Sequence, residues 1–429
     1  MLNDNNFYYS SYAVNKNFIY SKLYNVEDKN MRGVLIAAIL FSCIIVSATI
    51  GFIFAVGSDY VSTCGNTLYV DDDGGADYVR IQDAIDNASD GDTVFVYSGT
   101  YFENLVVDKS INLIGEDKNT TVIDGRQLDD TIWIKTSSVR LSELSIVNSK
   151  PGPWGDGISV IEKRWWPESD PPILLSDIVI SDCVLKNNML GIRLTITDNV
   201  DIVNCEIYNN SGQSVYLVES SNVDVHHCII HDNGEVFGGG IYLDDAPDRE
   251  DSGCKNVKIH NNSIFYNVGS GIHLCGRSIH TNVEICYNEI YGQTTDGISI
   301  SGDHIVDIHD NVIVGNGVFE PGFFWGGVRL QRCMGSVTVR RNNIAGNVPC
   351  GVHTVRSTKN VIVENNFINN SRNAFFYTDF FSFERWDGNY WDDWRGFGPK
   401  IIFGLIEKPI LSPWFNFDWN PAREPYDIA

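Results

Sequence analysis

Between residues 183 and 369 the apolar positions come in bursts of two to four alternating residues, each ended by Asn or Gly. One plan recurs. A V-x-[VI] pair (Val223–Val225, Val257–Ile259, Val283–Ile285, Val361–Val363) is followed by a few polar residues and a single apolar residue. An amide stands three positions later, and then G-[IV]-x-[LI]. The central apolar residues are Leu185, Ile207, Ile230, Ile264, Ile290, Ile313, Ile344 and Ile368, spaced 22, 23, 34, 26, 23, 31 and 24 apart. Runs this short with period-two alternation predict strands, and no stretch of the repeat region carries a 3.6-residue helical stripe. A period near 23 with two longer gaps predicts a repeat protein with loop insertions. Three short strands per repeat predict the coils of a parallel β-helix, an all-β solenoid of roughly a dozen turns.

The amides have a reason in this plan. Three positions after the central residue stand Asn188, Asn210, Asn233, Asn267, Gln293, Asn316 and Asn347. Two positions before it stand Cys183, Cys205 and Cys228, then Asn262, Asn288, Asn311, Asn342 and Asn366. Asn tolerates the left-handed backbone of a corner and bonds turn backbone. Stacked about 4.8 Å apart, such side chains form ladders. The three cysteines read as a stack of small buried residues. Cross-coil disulfides are the alternative, awkward for parallel Cβ vectors.

Charge and the chain ends refine the picture. The 429 residues carry a formal charge of −24, which argues against a nucleic-acid partner. Residues 33–58 carry no charge, and as a helix span about 39 Å, enough for a hydrocarbon core of about 30 Å. They read as a membrane anchor, or as a signal removed on export. Met31-Arg32 looks like a start in its own right, which would make residues 1–30 a misassigned extension. The expected plan is an extension (1–32), an anchor (33–58), a linker (59–67), a β-helix (68–379) outside the cell and an aromatic C-terminal cap (380–429). N-x-[ST] sequons at Asn87, Asn119, Asn209, Asn261 and Asn369 suit an exported chain.

The stretch "LYVDDDGGADYVRIQDAIDNASDGDTVFVYSGTYFENLVVDKSINLIGEDKNTTVIDG" (68–125) resembles the opening of right-handed β-helix surface proteins of archaea and bacteria. These belong to the pectate-lyase-like superfamily, within its NosD-like or CASH group of carbohydrate-binding proteins and sugar hydrolases. The resemblance implies a short capping helix followed by a first strand. The residues agree, since Ile81, Ala84, Ile85 and Ala88 make one apolar stripe able to close an open solenoid end. "WDGNYWDDWRGFGPKIIFG" (386–404) resembles the element following the last coil in such proteins. The superfamily spans lyases, hydrolases, epimerases and adhesins, so its name does not give an activity.

Candidate chemistry collects on the x position of G-[IV]-x-[LI], which points away from the core. In successive coils it is Ser159, Arg193, Tyr216, Tyr242, His273, Ser299, Arg329 and His353. Two Arg, two Tyr and two His without Lys or Glu suit hydrogen bonding and stacking on a sugar chain. Insertions at 151–172, 242–253 and 317–327 bring Trp154, Asp156, Asp244, Asp245 and Trp325 to the same face. "TTDGISI" (294–300) resembles the N-T-D motif of polygalacturonase-like hydrolases, without its companion elements. Asp296 paired with Asp244 would serve a hydrolase. His273 and Arg329 would serve a lyase as base and charge neutraliser. The expected catalytic residues are therefore Asp296, Asp244, His273 and Arg329. The expected substrate-binding residues are Asp156, Trp154, Arg193, Tyr216, Tyr242, Asp245, Trp325 and His353. A second outward column, His226, His260, Cys286 and His309, offers His226, His260 and His309 as ligands for a divalent metal; no other cofactor is expected. The expected partners are a polysaccharide and the membrane. A structural envelope protein and a NosD-like metal accessory are the alternatives.

Overall fold

The computed structural model describes residues 65–428 apart from 153–154, 163–172, 235–238, 247–248, 318–324 and 408–410. The expected anchor at 33–58 and extension at 1–32 lie outside these residues, as does Trp154. Among the described residues no helix is long and apolar enough to cross a membrane.

The chain winds as a β-helix of about twelve coils. The short strands carrying the central apolar residues form one 12-stranded parallel sheet. The V-x-[VI] and G-[IV]-x-[LI] strands alternate within a 26-stranded one. Leu185, Ile207, Ile230, Ile264, Ile290, Ile313 and Ile344 pair in register, each fully buried. In the next coil Phe367, and not Ile368, takes the place above Ile344. Ile368 is apolar but sits on the outward side of the pleat, so the expected register is off by one there, and Asn365 replaces Asn366 in the amide column. The strands stay parallel past residue 379, with Arg385–Asp387 on Val361–Val363 and Tyr390–Trp391 on Asn366–Ile368.

The corners differ from expectation in one respect. The left-handed residues are Asp182, Asn204, His227, Asn261, Tyr287, Asp310, Arg341 and Glu364 on one side of the short strand. On the other side they are Asn187, Asn209, Asp232, Tyr266, Gly292, Gly315, Gly346 and Asn369. Each adjoins an inward-pointing side chain of the ladder, an amide or, beside Asp182, Asn204 and His227, a cysteine. The amides point inward and run as two ladders. In one, Asn188, Asn210, Asn233, Asn267, Gln293, Asn316 and Asn347 each offer a side-chain oxygen to the backbone N–H of the coil before, at 3.0–3.1 Å. In the other, Asn262, Asn288, Asn311, Asn342, Asn365 and Asn389 do the same. Side-chain N–H groups donate onward to backbone carbonyls, as Asn311 does to Ile285 O at 2.8 Å and His309 O at 3.0 Å. The ladder ends on a carboxylate: Asp418 accepts from Asn389 N–H and from Trp391 Nε1. Below Asn262 the same column holds Cys228, Cys205 and Cys183, buried free thiols donating to carbonyls two residues back.

Glycine opens the G-[IV]-x-[LI] strand because the coils approach closely there. A Cβ on Gly240 would lie 2.0 Å from the Gly271 carbonyl oxygen. Both ends of the core are closed. Ile81, Ala84 and Ile85 of the helix Ile81–Asn87 seal the first coil, and Glu103 accepts the N–H groups of Ile81 and Gln82 at the helix start. At the other end Trp391 stacks on Phe367 at 4.3 Å, beneath the antiparallel hairpin Lys400–Ile406 and Ser412–Asp418.

Asn311→Ala would strip a buried acceptor from Asn288 and a buried donor from Ile285. It should lower stability by about 3 kcal/mol, several unmet buried groups costing about 1–3 kcal/mol each. Asn256→Ala, at an exposed position with left-handed backbone, should cost only about 1 kcal/mol. Denaturant unfolding of the two variants checks this.

Candidate functional site

The G-[IV]-x-[LI] strands place the x residues in one unbroken column. Trp133, Ser159, Arg193, Tyr216, Tyr242, His273, Ser299, Arg329, His353 and Phe375 are each paired with the next. At about 4.8 Å per coil, Arg193 and Arg329 stand about 24 Å apart. All these side chains leave the core, yet Ser159, Ser299 and His353 are buried, so the column is not a simple solvent face.

Two stretches of the column repeat each other. "DGIS" occurs at 156–159 and again at 296–299. In each, the Asp is almost fully buried and bonds the Arg one coil above. Arg193 Nε donates to Asp156 at 2.6 Å, and Arg329 Nε donates to Asp296 at 2.8 Å. Arg193 adds a second bond from Nη2 to Asp156 at 3.2 Å. Arg329 spends Nη2 on Ser299 and Nη1 on Gln331. Each guanidinium lies over a ring, Arg193 over Tyr216 at 5.4 Å and Arg329 over Trp325 at 4.9 Å. Between the modules runs an aromatic floor. Tyr216 and Tyr242 are tilted at 5.9 Å, and Tyr242 stacks on His273 at 4.6 Å.

Acids and a thiol pin the tyrosines. Tyr216 donates to Asp244 at 3.0 Å, and Cys275 Sγ lies 3.5 Å from both the Tyr242 hydroxyl and Asp244. Burial raises the pKa of both tyrosines and pushes the Cys275 thiol up to about 12. Asp245 turns away from the column and accepts Arg277 and Ser278 N–H at 2.7 Å each. Burial alone would raise Asp245, but these donors hold its carboxyl below the usual range. Burial pushes Asp296 up to about 7, against the pull of Arg329, Gly326 N–H and Ser299. His273 is driven down to about 3 by burial and then by Arg329, which keeps it neutral.

The expected carboxylate pair does not form. Asp244 is two positions beyond the column and Asp296 three before it, so they stand about 16 Å apart across the sheet at strand rise. They are also two coils, about 10 Å, apart along the axis. Glycosidase carboxylates need about 5–9.5 Å. Asp296 and Arg329 do meet, as an ion pair. The second column is also corrected. His226 and His260 stack in parallel, 5.0 Å apart and 5° from coplanar planes, each Nε2 held by its own acid, Asp201 or Asp224, at 3.0 Å. Parallel rings with separate partners do not converge on one ion. His309 is a further two coils along, beside Cys286.

Sequence reasoning missed Cys275, Asp130 (which accepts Asp156 N–H at 2.8 Å) and a further ring stack on the short strands. That stack is Tyr208, His231, Phe265 and Tyr291, with centroids 4.8–5.0 Å apart. The position following each central apolar residue would have revealed it.

The coil geometry and buried columns define a right-handed parallel β-helix. The chain belongs to the family described as "Right handed beta helix region", which it matches over residues 57–293 and 252–384. It is similar to the A-modules of two Azotobacter vinelandii mannuronan C-5 epimerases, AlgE6 and AlgE4, each at 17% identity. The TM-scores are 0.53 and 0.51, covering 72% and 71% of this chain and 93% and 97% of theirs. DFA-IIIase from Arthrobacter chlorophenolicus A6 without its lid is similar at 13% identity and a TM-score of 0.53, over 72% of this chain and 87% of that one. At these identities the likeness is one of fold. No curated protein matches the sequence.

Two buried histidines should make the fold acid-sensitive. His304 is held down to about 4 by burial and by His280, and His273 to about 3. The unfolded chain takes up their protons below about pH 6.5, whereas the folded chain refuses them. Their stabilisation is complete above that pH and falls by about 1.4 kcal/mol per group per pH unit toward the folded values. Asp296 and Glu384, pushed up to about 7 and about 8 by burial, act in the opposite sense, losing stability as pH rises from about 4. The test is the stability difference between wild type and His304→Gln. It should be flat above pH 6.5 and shrink between pH 6.5 and pH 4.

Proposed function

We propose that the chain is a glycan-binding protein of the cell exterior, held at the membrane by residues 33–58. Its sugar chain lies along the column from Arg193 to Arg329. The observation that carries this reading is the pair of Asp–Ser–Arg modules bracketing three rings in contact, Tyr216, Tyr242 and His273. Rings supply apolar sugar faces with a platform, and oriented guanidinium, hydroxyl and carboxylate groups supply the hydrogen bonds that fix a polyol.

The same geometry favours a neutral glycan over a polyuronate. Each guanidinium already has a buried carboxylate partner, so neither module presents a free positive charge to a sugar acid. A chain of charge −24 also repels a polyanion at long range. Binding is favoured over turnover for related reasons. Asp244 and Asp296 stand too far apart to act together. Asp296 has a pKa near neutrality but is buried against Arg329, and His273 near 3 is a weak base at neutral pH. The alternative of a structural envelope protein draws on the burial of Ser159, Ser299 and His353, which narrows the exposed part of the column.

The test is a glycan panel on the purified chain, scored for binding and product release. Neutral polysaccharides should bind, and Tyr242→Ala and Arg193→Ala should each weaken binding at least 10-fold, since a stacking or bidentate contact is worth about 1–3 kcal/mol. Preferential binding of polyuronates, or release of products, would overturn the neutral-binder reading. Silence across the whole panel would leave the envelope protein.

A further inference from the structure

On the outward side of the V-x-[VI] sheet one diagonal rule recurs. An acid at x reaches the residue two places beyond x in the next coil. Asp201 meets His226 at 3.0 Å, Asp224 meets His260 at 3.0 Å, and Asp307 meets Arg340 at 2.9 Å. Glu284 meets His309 at 2.9 Å by the same rule. This instance differs by one residue. Cys286 stands where the coil before has His260, directly in register with His309. Glu284 and Cys286 are two apart on the strand Thr281–Cys286 and so share its outward face. A carboxylate oxygen, the thiol sulfur and a ring nitrogen of His309 all lie within 4.8 Å of one another.

The surroundings suit a ligand set. His309 is buried, and its Nδ1 faces the Asp310 carboxylate at 2.9 Å, which Arg341 holds at 3.0 Å. A metal-bound histidine is typically oriented in this way, its far nitrogen donating to a carboxylate that fixes tautomer and ring angle. His226 and His260 are held singly by Asp201 and Asp224 and belong to no such set of three donors among the described residues. We propose that Glu284, Cys286 and His309 bind one divalent transition ion of the Zn²⁺ or Co²⁺ kind. One sulfur, one nitrogen and one oxygen donor select such ions over Ca²⁺ or Mg²⁺, which take oxygen ligands. Metal–donor bonds of about 2.0–2.3 Å need only a small inward rotation of the Cys286 and Glu284 side chains. Three protein ligands leave a fourth position for water, and the ion ties two neighbouring coils together. The site lies on a different face from the column and does not depend on glycan binding.

Titrating Co²⁺ into the purified full chain should give a thiolate-to-cobalt charge-transfer band at one equivalent, displaced by Zn²⁺. Cys286→Ser should abolish the band. Glu284→Gln and His309→Gln should weaken Zn²⁺ at least 10-fold, and Asp310→Asn, which only orients His309, by about 10–100-fold. His226→Ala should leave affinity unchanged. Zn²⁺ should raise the melting temperature of wild type and not of Cys286→Ser. A missing band, a band that survives Cys286→Ser, or Zn²⁺ affinity unchanged in the ligand variants would each overturn the site. If Cys286→Ser loses its circular-dichroism signature, the Co²⁺ band and Zn²⁺ affinity of Glu284→Gln and His309→Gln decide instead, and values unchanged from wild type overturn the proposal.

Discussion

Everything in this molecule rests on amides that have been turned inward and fully bonded. A buried primary amide costs several kcal/mol when unpaired. Here each oxygen accepts a backbone N–H from the coil before, and each NH₂ donates to carbonyls that a tight corner would otherwise leave open. The side chains therefore repair the backbone defect that turning creates. The consequence is register. A coil slipped by one residue would bury an amide with nothing beside it, so the ladders forbid what stacked isoleucines alone would tolerate. They also explain how long insertions are absorbed. Across the two longest spacings, Asn233 still bonds Asn267 and Asn316 still bonds Asn347 in the same ladder.

Because register is held so firmly, every outward position becomes a column running the length of the solenoid. Chemistry in such a fold is written as departures from a repeating surface. The x column shows this, where the DGIS–Arg arrangement occurs twice and the coils between carry rings. A buried Asp that bonds Arg one coil above converts a mobile cationic side chain into a fixed planar surface. That suits shape recognition better than charge attraction, since the ion pair spends the charge it fixes.

The repeat was legible because its signals are local. A central apolar residue, an amide at fixed offset and a glycine where the coils nearly touch need no knowledge of distant sequence. Phe367 escaped because Ile368 beside it satisfies the same apolar rule, and only cross-coil pairing separates the two. The αL corners escaped for a similar reason, since an Asn tolerates αL and also bonds backbone, and the sequence does not say which it is doing. The column could be read from period two alone. What it would touch could not. The distance between Asp244 and Asp296 depends on where each stands across the strand, and the pairing of Asp296 with Arg329 depends on a side chain reaching diagonally between coils.

Diagonal reach also decides which polar clusters mean something. A histidine column looks, in sequence, like ligands stacked for a metal, but stacking parallel rings separates their lone pairs by a full coil. Convergence needs donors on two different offsets of two adjacent coils. Glu284 and Cys286 supply two donors from one strand face, and His309 supplies the third from the next coil. In a solenoid a column therefore makes a surface, whereas a diagonal makes a site. The same criterion picks out Tyr216, Asp244, Cys275 and Tyr242, where offsets of zero and two on neighbouring coils bring four polar atoms together beside the ring floor.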